Sequence, residues 1–356
     1  MNAPLNILFA LRQDYKNNPG GDLVQMDAWR RSLQQAGYKV SVSADMKDEA
    51  VWQKCDLVFI WHLERIHDSY LWWKRAKAKG VPIVLVPTYY RTGRRFGGEA
   101  VLKQAELLFR AMQDRSLLKL ALGNIWSCCR KEMLIESLLL IANSAAEKEL
   151  LVSEGGDPGK IAVIPNVISG TVGETAPLPW QERTEIVCIG HFCPRKNQLA
   201  LIKALKGYPV CVTFIGGARP MHRRYMQKCI KLSAGQHKFP GRLTHEAALE
   251  LIRRSKYAVS VSSVETPGIA NLEAAAAGCG LILPDLAPVK EYFRGCAVNF
   301  IDPHSIDGAE LERMLDVPPD PQMLQTVKMK YTEAVLPELW RKLHLEDLLK
   351  NKNIKR

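Results

Sequence analysis

The chain has 356 residues, 47% of them hydrophobic, and it carries a formal net charge of +12. This length allows two domains with separate hydrophobic cores, and the excess of Lys and Arg predicts a partner rich in phosphate or other anions. The nine cysteines are odd in number and form no C-x-x-C pair, so the sequence indicates neither a disulfide framework nor a zinc site and fits a reducing, cytoplasmic compartment. No apolar run reaches the roughly 18 residues of a membrane span.

The first half of the chain alternates apolar runs with helical patterns, which is typical of a parallel α/β sheet. The predicted strands are residues 5–11, 40–43, 55–60, 82–86 and 138–142. The loop after the first strand contains Gly20 and Gly21 but lacks G-x-G-x-x-G, so a dinucleotide-binding fingerprint is not supported. A helix is predicted next, over about 23–35. Ligands of such folds bind where the strands end, and His62 directly follows the third strand.

Residues 91–131 are unusually basic, with nine Lys or Arg against three acidic residues. Leucines and aromatic residues recur among them at helical spacing, which predicts one or two basic amphipathic helices. Helices of this kind can lie on an anionic lipid surface. A solvated helical face that packs over the sheet fits the same pattern, so both interpretations stay open.

A second series of elements begins after a stretch rich in glycine and proline, residues 168–184, which we interpret as a linker. Its predicted strands are residues 185–189, 210–215 and 257–261. The last of these strands leads through a short loop into an alanine-rich helix over 269–277, which Gly278 ends. A helix N-terminus placed after a strand and a glycine is a natural anion site, because its first N–H groups have no partner inside the helix.

Two glutamates, Glu265 and Glu273, flank this turn with seven residues between them. The pattern resembles the E-x7-E signature of retaining glycosyltransferases of family 4, which have the GT-B fold. In that family the loop holds the diphosphate of a nucleotide-sugar, the second glutamate holds the ribose hydroxyls and the first lies beside the donor sugar. The resemblance therefore implies a ribose-binding role for Glu273 and a sugar-binding role for Glu265. It places the diphosphate at Gly268, Ile269 and Ala270.

The resemblance extends from ANSAAEKELL and IAVIPNV, before the predicted linker, to GHFCPRKNQ after it. Lys196 in the last segment matches the lysine that neutralises the leaving diphosphate. His191 stands where the family has arginine, and Val167 stands where it has glycine. The first departure matters more, because arginine is always charged whereas histidine is only partly charged at neutral pH.

The resemblance implies a set of site residues in both halves of the chain. Those expected to bind the donor are Gly20, Gly21, Gly190, His191, Arg195, Lys196, Gly216, Gly241, Gly268, Ile269, Ala270 and Glu273. Those expected to act in catalysis are Glu265, Lys196 and His62. No Asp-x-Asp cluster suggests a metal site, so protein cations are expected to stabilise the diphosphate. No cofactor is expected beyond the nucleotide-sugar substrate.

The resemblance further implies a GT-B architecture, in which two Rossmann-like parallel-sheet domains face a cleft and the last helix crosses back to the first domain. The expected limits are 1–167 for the acceptor-side domain, 168–184 for the linker, 185–335 for the donor-side domain and 336–356 for the last helix. The expected activity is metal-independent transfer of a hexose-type sugar from a nucleotide-diphosphate sugar to a glycan or lipid-linked glycan, with retention of anomeric configuration.

Many members of the family glycosylate lipid-linked acceptors. The resemblance and the basic charge together imply polysaccharide or cell-envelope biosynthesis by a cytoplasmic protein that residues 91–131 hold peripherally at the inner face of the plasma membrane. Aromatic spacing and motifs give no sign of nucleic-acid binding. Two alternatives stay open: a nucleotide-sugar epimerase, which shares the architecture but needs acid–base groups at C2 of the sugar, and a non-catalytic binding protein that has kept the fold.

Overall fold

The computed structural model describes residues 4–15, 20–63, 65–90, 125–173 and 178–350. The chain divides into two compact units, unit 1 (Met1–Pro165 with Leu336–Arg356) and unit 2 (Asn166–Val335). Most of the basic segment predicted to be amphipathic, residues 91–124, lies outside the described residues.

Unit 1 contains a six-stranded parallel sheet in the order β2-β1-β3-β4-β5-β6. Its strands are β1 Asn6–Ala10, β2 Lys39–Ser43, β3 Leu57–Trp61, β4 Ile83–Val86, β5 Leu139–Ala142 and β6 Ile161–Val163. The strands β3, β4 and β5 are buried along their whole length, because helices cover both faces of a parallel sheet. This is why their sequences are continuous apolar runs rather than alternating ones.

The helices of unit 1 include two from the far end of the chain. They are α1 Gly21–Gln35, α2 Ile66–Ala78, α3 Ile125–Glu136, α4 Ala145–Ser153, α12 Leu336–Leu343 and α13 Leu345–Lys350. The ring of Trp340 on α12 packs edge-on against Trp29 on α1, with centroids 5.1 Å apart. The last helices therefore belong to unit 1, but the single helix predicted over 336–356 is wrong: the chain forms two helices as far as residue 350, with a break at His344, whose φ is +44°.

Unit 2 contains a second six-stranded parallel sheet, in the order β12-β11-β10-β7-β8-β9. Its strands are β7 Glu185–Ile189, β8 Thr213–Ile215, β9 Lys238–Gly241, β10 Ser255–Val259, β11 Gly280–Pro284 and β12 Asn299–Ile301. Its helices are α5 Gln198–Ala204, α6 Arg223–Ser233, α7 His245–Arg254, α8 Ile269–Ala276, α9 Ala287–Tyr292, α10 Gly308–Met314 and α11 Pro321–Lys330. The alanine-rich helix predicted over 269–277 is confirmed as α8, whose small side chains allow close packing in the core of the unit.

The stretch predicted as a linker, 168–184, is packed into unit 2 where it is described. Ile168 and Val172 are buried in the core around α8. The backbone N–H of Ile168 donates to the carbonyl of Tyr331 at 2.8 Å, and Glu333 N–H donates back to the Ile168 carbonyl at 3.0 Å. The linker prediction is corrected accordingly: glycine and proline mark turns here, but the apolar residues between them find partners at the other end of the unit.

Candidate functional site

Glycines occupy the ends of three neighbouring strands of unit 2. Gly190 follows β7, Gly216 follows β8 and Gly241 ends β9, and all three have positive φ angles, +152°, +147° and +80°. The N–H of Gly190 donates to Ile215 O and that of Gly216 donates to Gly241 O, each at 2.9 Å. A Cβ at Gly216 would overlap the carbonyl oxygen of Gly190. These three predicted donor-binding glycines therefore leave one edge of the sheet without side chains, so a ligand can approach the backbone closely there. We call this set the glycine edge.

The loop after β7 is tied to the loop after β10. Ser263 N–H donates to the carbonyl of Arg195 at 2.9 Å, and Arg195 Nη1 donates to the carbonyl of Val264 at 3.0 Å. The adjacent Phe192 N–H donates to Gly217 O at 2.9 Å. The segments that carry the predicted lysine and the predicted first glutamate are thus held side by side.

Lys196 and Glu265, which are 69 positions apart in the sequence, form an ion pair between Nζ and Oε2. Ser262 Oγ donates to the same oxygen at 2.9 Å. Burial acts to raise the pKa of Glu265, which is 6% exposed, but the charges of Lys196 and Arg195 outweigh it and hold the pKa below its usual value. Glu265 is therefore an ionised carboxylate in a largely buried position.

Gly268 connects Glu265 to helix α8. Its φ is +71°, and a Cβ there would lie 2.8 Å from Asn271 Nδ2 and 3.4 Å from Glu265 Cδ. In the described part of the chain, the backbone N–H groups of Ile269 and Ala270 donate to no acceptor. These two groups and the positive end of the helix dipole are available to an anion.

Glu273 lies on the buried side of α8, with 7% of its surface exposed. Its Oε1 is 2.7 Å from Nε2 of His245, the first residue of α7. This hydrogen bond raises the pKa of His245 above its usual value despite partial burial. The sequence motifs did not identify His245 as a site residue, because Glu273, with which it pairs, lies 28 positions further along the chain.

His191 lies in the loop between Gly190 and Lys196 and is half-buried. Its carbonyl accepts a hydrogen bond from Gln198 Nε2 at 3.0 Å, which ties the loop to the start of α5. The residue that replaces the family arginine is therefore placed beside the glycine edge.

In unit 1, the predicted residues His62, Gly20 and Gly21 lie around Asp22. His62, whose φ is +70°, follows β3, and its Nε2 is 3.0 Å from Asp22 Oδ2. A Cβ at Gly20 would lie 2.7 Å from Asp22 Oδ1, so a larger residue there would require the carboxylate to shift. The structure therefore brings these three predicted residues together through a residue that the motifs did not identify.

Arg12 also binds Asp22, with Nε 2.8 Å from Oδ2. Burial acts to raise the pKa of Asp22, but His62 and Arg12 outweigh it and hold the pKa far below its usual value. The pairing continues from Arg12 to Asp14 at 2.8 Å and from Asp14 to Arg65 at 3.0 Å. Arg12 comes directly after the predicted first strand, residues 5–11, and Asp22 comes directly after Gly20 and Gly21. These positions in the sequence could have identified both residues.

Residues 176–310, which lie in unit 2 and include the glycine edge, Lys196, Glu265 and Glu273, match the family model described as glycosyl transferases group 1. This segment is therefore similar to the group 1 glycosyltransferases. A search of curated proteins found no match to the chain.

Solved glycosyltransferase structures share the fold over nearly the whole chain. Sucrose-phosphate synthase from Thermosynechococcus elongatus has a TM-score of 0.73 at 14% identity, with 97% of this chain and 100% of that chain covered. A glycosyltransferase from Rickettsia africae has a TM-score of 0.70 at 14% identity, with 98% and 100% covered. Anabaena HepE, solved with UDP and glucose, has a TM-score of 0.67 at 16% identity, with 95% and 99% covered. The two six-stranded sheets and their helices are thus the GT-B fold.

Within the described ranges, the chain has neither a membrane-spanning helix nor a metal-binding cluster. No helix there is both long enough and apolar enough to cross a membrane. No group of three or more His, Cys, Asp or Glu side chains in those ranges has the arrangement of a metal site.

Proposed function

We propose that this protein transfers a sugar, of hexose type, from a nucleotide-diphosphate sugar to a hydroxyl of a glycan or lipid-linked glycan, with retention of anomeric configuration and without a metal ion. The observation that carries the proposal is the pairing of Lys196 with Glu265 beside the free N–H groups of Ile269 and Ala270. A fixed cation and free backbone donors are what a leaving diphosphate requires, because negative charge develops on it as the glycosidic bond breaks.

The diphosphate is held, in this proposal, by Lys196, by the neighbouring Arg195 and by the start of α8. The ammonium group of Lys196 has three N–H donors, of which the ion pair with Glu265 uses one. The group can therefore bind a phosphate oxygen while it remains paired. The bare glycine edge formed by Gly190, Gly216 and Gly241 lets the nucleotide approach the backbone. His191 in the same loop adds a further donor.

Glu265 is proposed to accept hydrogen bonds from the sugar hydroxyls. The hydrogen bonds that its side chain accepts among the described residues both fall on Oε2, which leaves Oε1 to the substrate. Its depressed pKa favours the charged acceptor form of the carboxylate. The acceptor attacks C1 from the face that the diphosphate leaves, as the resemblance to retaining enzymes implies, and we assign no nucleophilic role to Glu265.

The nucleoside end of the donor is proposed to bind at Glu273 and at Gly241, where the ribose hydroxyls donate to the carboxylate. In unit 1, His62 is proposed to contact the sugar or the acceptor, oriented by Asp22, with Gly20 and Gly21 beside it. Because the Anabaena HepE structures contain UDP and UDP-glucose, uracil is the first base to test here.

The decisive experiment is a thermal-shift screen of the full chain against UDP, GDP, ADP, TDP and CMP, with Glu273→Ala in parallel. Stabilisation by one nucleotide that is lost in the variant supports the donor site and identifies the base. A ligand at about 100 times its Kd adds about 2.7 kcal/mol to the free energy of unfolding, which is readily measured. No shift with any nucleotide would overturn the proposal.

Anomeric retention and metal independence need separate readouts. Proton NMR of the first product formed gives its anomeric configuration, and inversion would contradict the retaining assignment. Full activity in the presence of a chelator is expected, since Lys196 and Arg195 supply the positive charge that a metal provides elsewhere.

The basic segment 91–131 is proposed to hold the enzyme peripherally at an anionic inner membrane surface, near a lipid-linked acceptor of polysaccharide or cell-envelope biosynthesis. The support is the excess of nine basic over three acidic residues in this segment. Sedimentation with vesicles that contain phosphatidylglycerol is expected at low salt and should weaken as salt screens the charges. Equal sedimentation with purely zwitterionic vesicles would contradict this assignment.

A further inference from the structure

Glu273 occupies an unusual position for a carboxylate. It lies on an alanine-rich helix whose neighbouring residues Ala274 and Ala275 are fully buried in the core of unit 2. A carboxylate in such surroundings needs a polar partner. Within the described ranges, the Glu273 side chain accepts one hydrogen bond, at Oε1 from His245 Nε2, and its Oε2 accepts none.

The partner, His245, is itself fixed in place by the fold. Thr244 caps helix α7 by accepting a hydrogen bond from Ala247 N–H at 3.2 Å, so the backbone of His245 starts a defined helix. The preceding strand β9 ends at Gly241, a member of the glycine edge. The side chain of His245 is 51% exposed, so its ring reaches both solvent and the buried carboxylate.

We propose that His245 is a positioning residue of the nucleoside subsite, which holds Oε1 of Glu273 so that Oε2 faces the hydroxyls of the ribose. The inference rests on the proposed function, which assigns Glu273 to the ribose. It follows that His245 determines how strongly the site prefers a ribonucleotide to a 2′-deoxyribonucleotide. A carboxylate that can rotate loses part of this preference, because its hydrogen bonds to the diol are no longer pre-organised.

The hydrogen bond suits this task chemically. The Nε2 of His245 must be the donor, since an ionised carboxylate only accepts. The raised pKa of His245 favours the form in which both ring nitrogens carry protons, and a charge-assisted hydrogen bond is stronger and better oriented than a neutral one. A purely structural role, in which the pair only joins α7 to α8, predicts lower stability but no change in nucleotide preference.

The test compares the affinities of UDP and 2′-deoxy-UDP by calorimetry in the full chain. The variants are His245→Ala, His245→Gln and Glu273→Ala, with Glu250→Gln as the control. Glu250 lies on the same helix, is exposed and forms its ion pair with Arg253. If the wild type binds no uridine nucleotide, GDP and ADP with their 2′-deoxy forms replace the pair.

The expected result is that His245→Ala binds UDP about tenfold more weakly, equivalent to about 1.4 kcal/mol, and loses less affinity for 2′-deoxy-UDP, which keeps only one of the two hydroxyls. Glu273→Ala should lose the preference for UDP. The amide nitrogen of Gln can reach the position of Nε2, so His245→Gln should restore much of the preference. Glu250→Gln should bind both nucleotides as the wild type does.

An unchanged preference in His245→Ala, or an equal loss for both nucleotides, would overturn the inference and leave the nucleotide site intact. A wild type that binds no ribonucleotide overturns the proposed function, and this inference with it. If His245→Ala does not fold, His245→Gln is compared with His245→Asn, whose shorter amide does not reach Glu273. Equal preferences in these two variants would then overturn the inference.

Discussion

The polar groups around the candidate site residues differ between unit 1 and unit 2. In unit 1, Arg12, Asp14, Asp22, His62 and Arg65 form a continuous series of pairs in which each charge faces an opposite one. In unit 2, the glycine edge has no side chains, and the N–H groups at the start of α8 donate to no acceptor in the described part of the chain. Charges that neutralise each other hold a loop in position, whereas unsatisfied donors are available to a ligand. The difference predicts that loss of the Asp22 carboxylate from the unit 1 network affects mainly stability, whereas loss of a donor group from the unit 2 site affects mainly activity.

The largest effect is expected for Lys196→Ala in unit 2. Loss of the cation beside the leaving diphosphate should reduce kcat by about 10²–10³-fold, the usual magnitude for one electrostatic group in a transition state. The measurement is the rate of nucleotide release from the donor sugar in the presence of acceptor. Lys203→Ala, which removes an exposed lysine from α5, is the control and should keep wild-type activity. Similar rates for the two variants would remove Lys196 from the mechanism.

The second effect is on stability, for Asp22→Ala in unit 1. The change leaves Arg12 and His62 without their shared carboxylate, and Arg12 is nearly fully buried. Loss of one partner from a buried pair lowers the free energy of unfolding by about 3 kcal/mol. Denaturant unfolding measures the change, and UDP affinity at a temperature where the variant is folded should match the wild type. Unchanged stability would contradict the view that this network supports the fold.

A smaller loss of stability is expected for Gly216→Ala at the glycine edge. The added Cβ would overlap the Gly190 carbonyl, and crowding of this kind costs about 1–3 kcal/mol. Gly207→Ala is the matched control, because Gly207 also has a positive φ, +88°, but no atom lies within 4 Å of its Cβ position. Gly216→Ala should also weaken nucleotide binding, whereas Gly207→Ala should not. Equal effects of both variants on thermal stability and binding would show that only the backbone angle matters.

The last effect depends on pH and concerns two buried glutamates, Glu147 in unit 1 and Glu265 in unit 2. Glu147 accepts backbone hydrogen bonds from Tyr89 and Asn143, and burial raises its pKa to about 7, whereas cations lower the pKa of Glu265. A carboxyl whose pKa is raised in the folded state favours folding at low pH, and this contribution is lost as pH rises from the ordinary value of about 4.5 through 7.

Thermal unfolding from pH 5 to pH 8 tests this difference. Glu147→Gln should flatten the fall in stability over that window, because the titrating group is gone. Glu265→Gln should leave the fall unchanged, since the depressed pKa of Glu265 places its titration below the window. A fall of the same slope in wild type and Glu147→Gln would show that Glu147 does not titrate there.

Much of the fold followed from local sequence patterns. The buried strands β3, β4 and β5 are apolar runs between polar loops, and α8 was predicted to within one residue. Positions that depend on distant partners were harder to predict. The stretch 168–184 has the composition of a linker, and the burial of Ile168 depends on Tyr331, far away in the chain.

The same limit applies to the candidate site. Residues within motifs, such as Lys196 and Glu265, were found because their spacing from a strand or a helix is short. Asp22 was missed although His62 was found, because 40 positions separate the two side chains in the sequence. A motif identifies a residue by its neighbours in the chain, whereas a charge network is defined only after folding brings its members together.

The backbone bridge between Ile168 and Thr332 joins the two ends of unit 2. Residues 166–335 form unit 2 without interruption, and the residues before and after them belong to unit 1. Unit 2 is therefore a single insertion whose first and last residues lie close together. Insertions of this form can be exchanged as one cassette, because a replacement needs only to match the spacing of its two ends. If unit 2 binds the donor as proposed, a chimera that carries the equivalent of residues 166–335 from a group 1 glycosyltransferase between the two segments of unit 1 should take on the donor specificity of that enzyme.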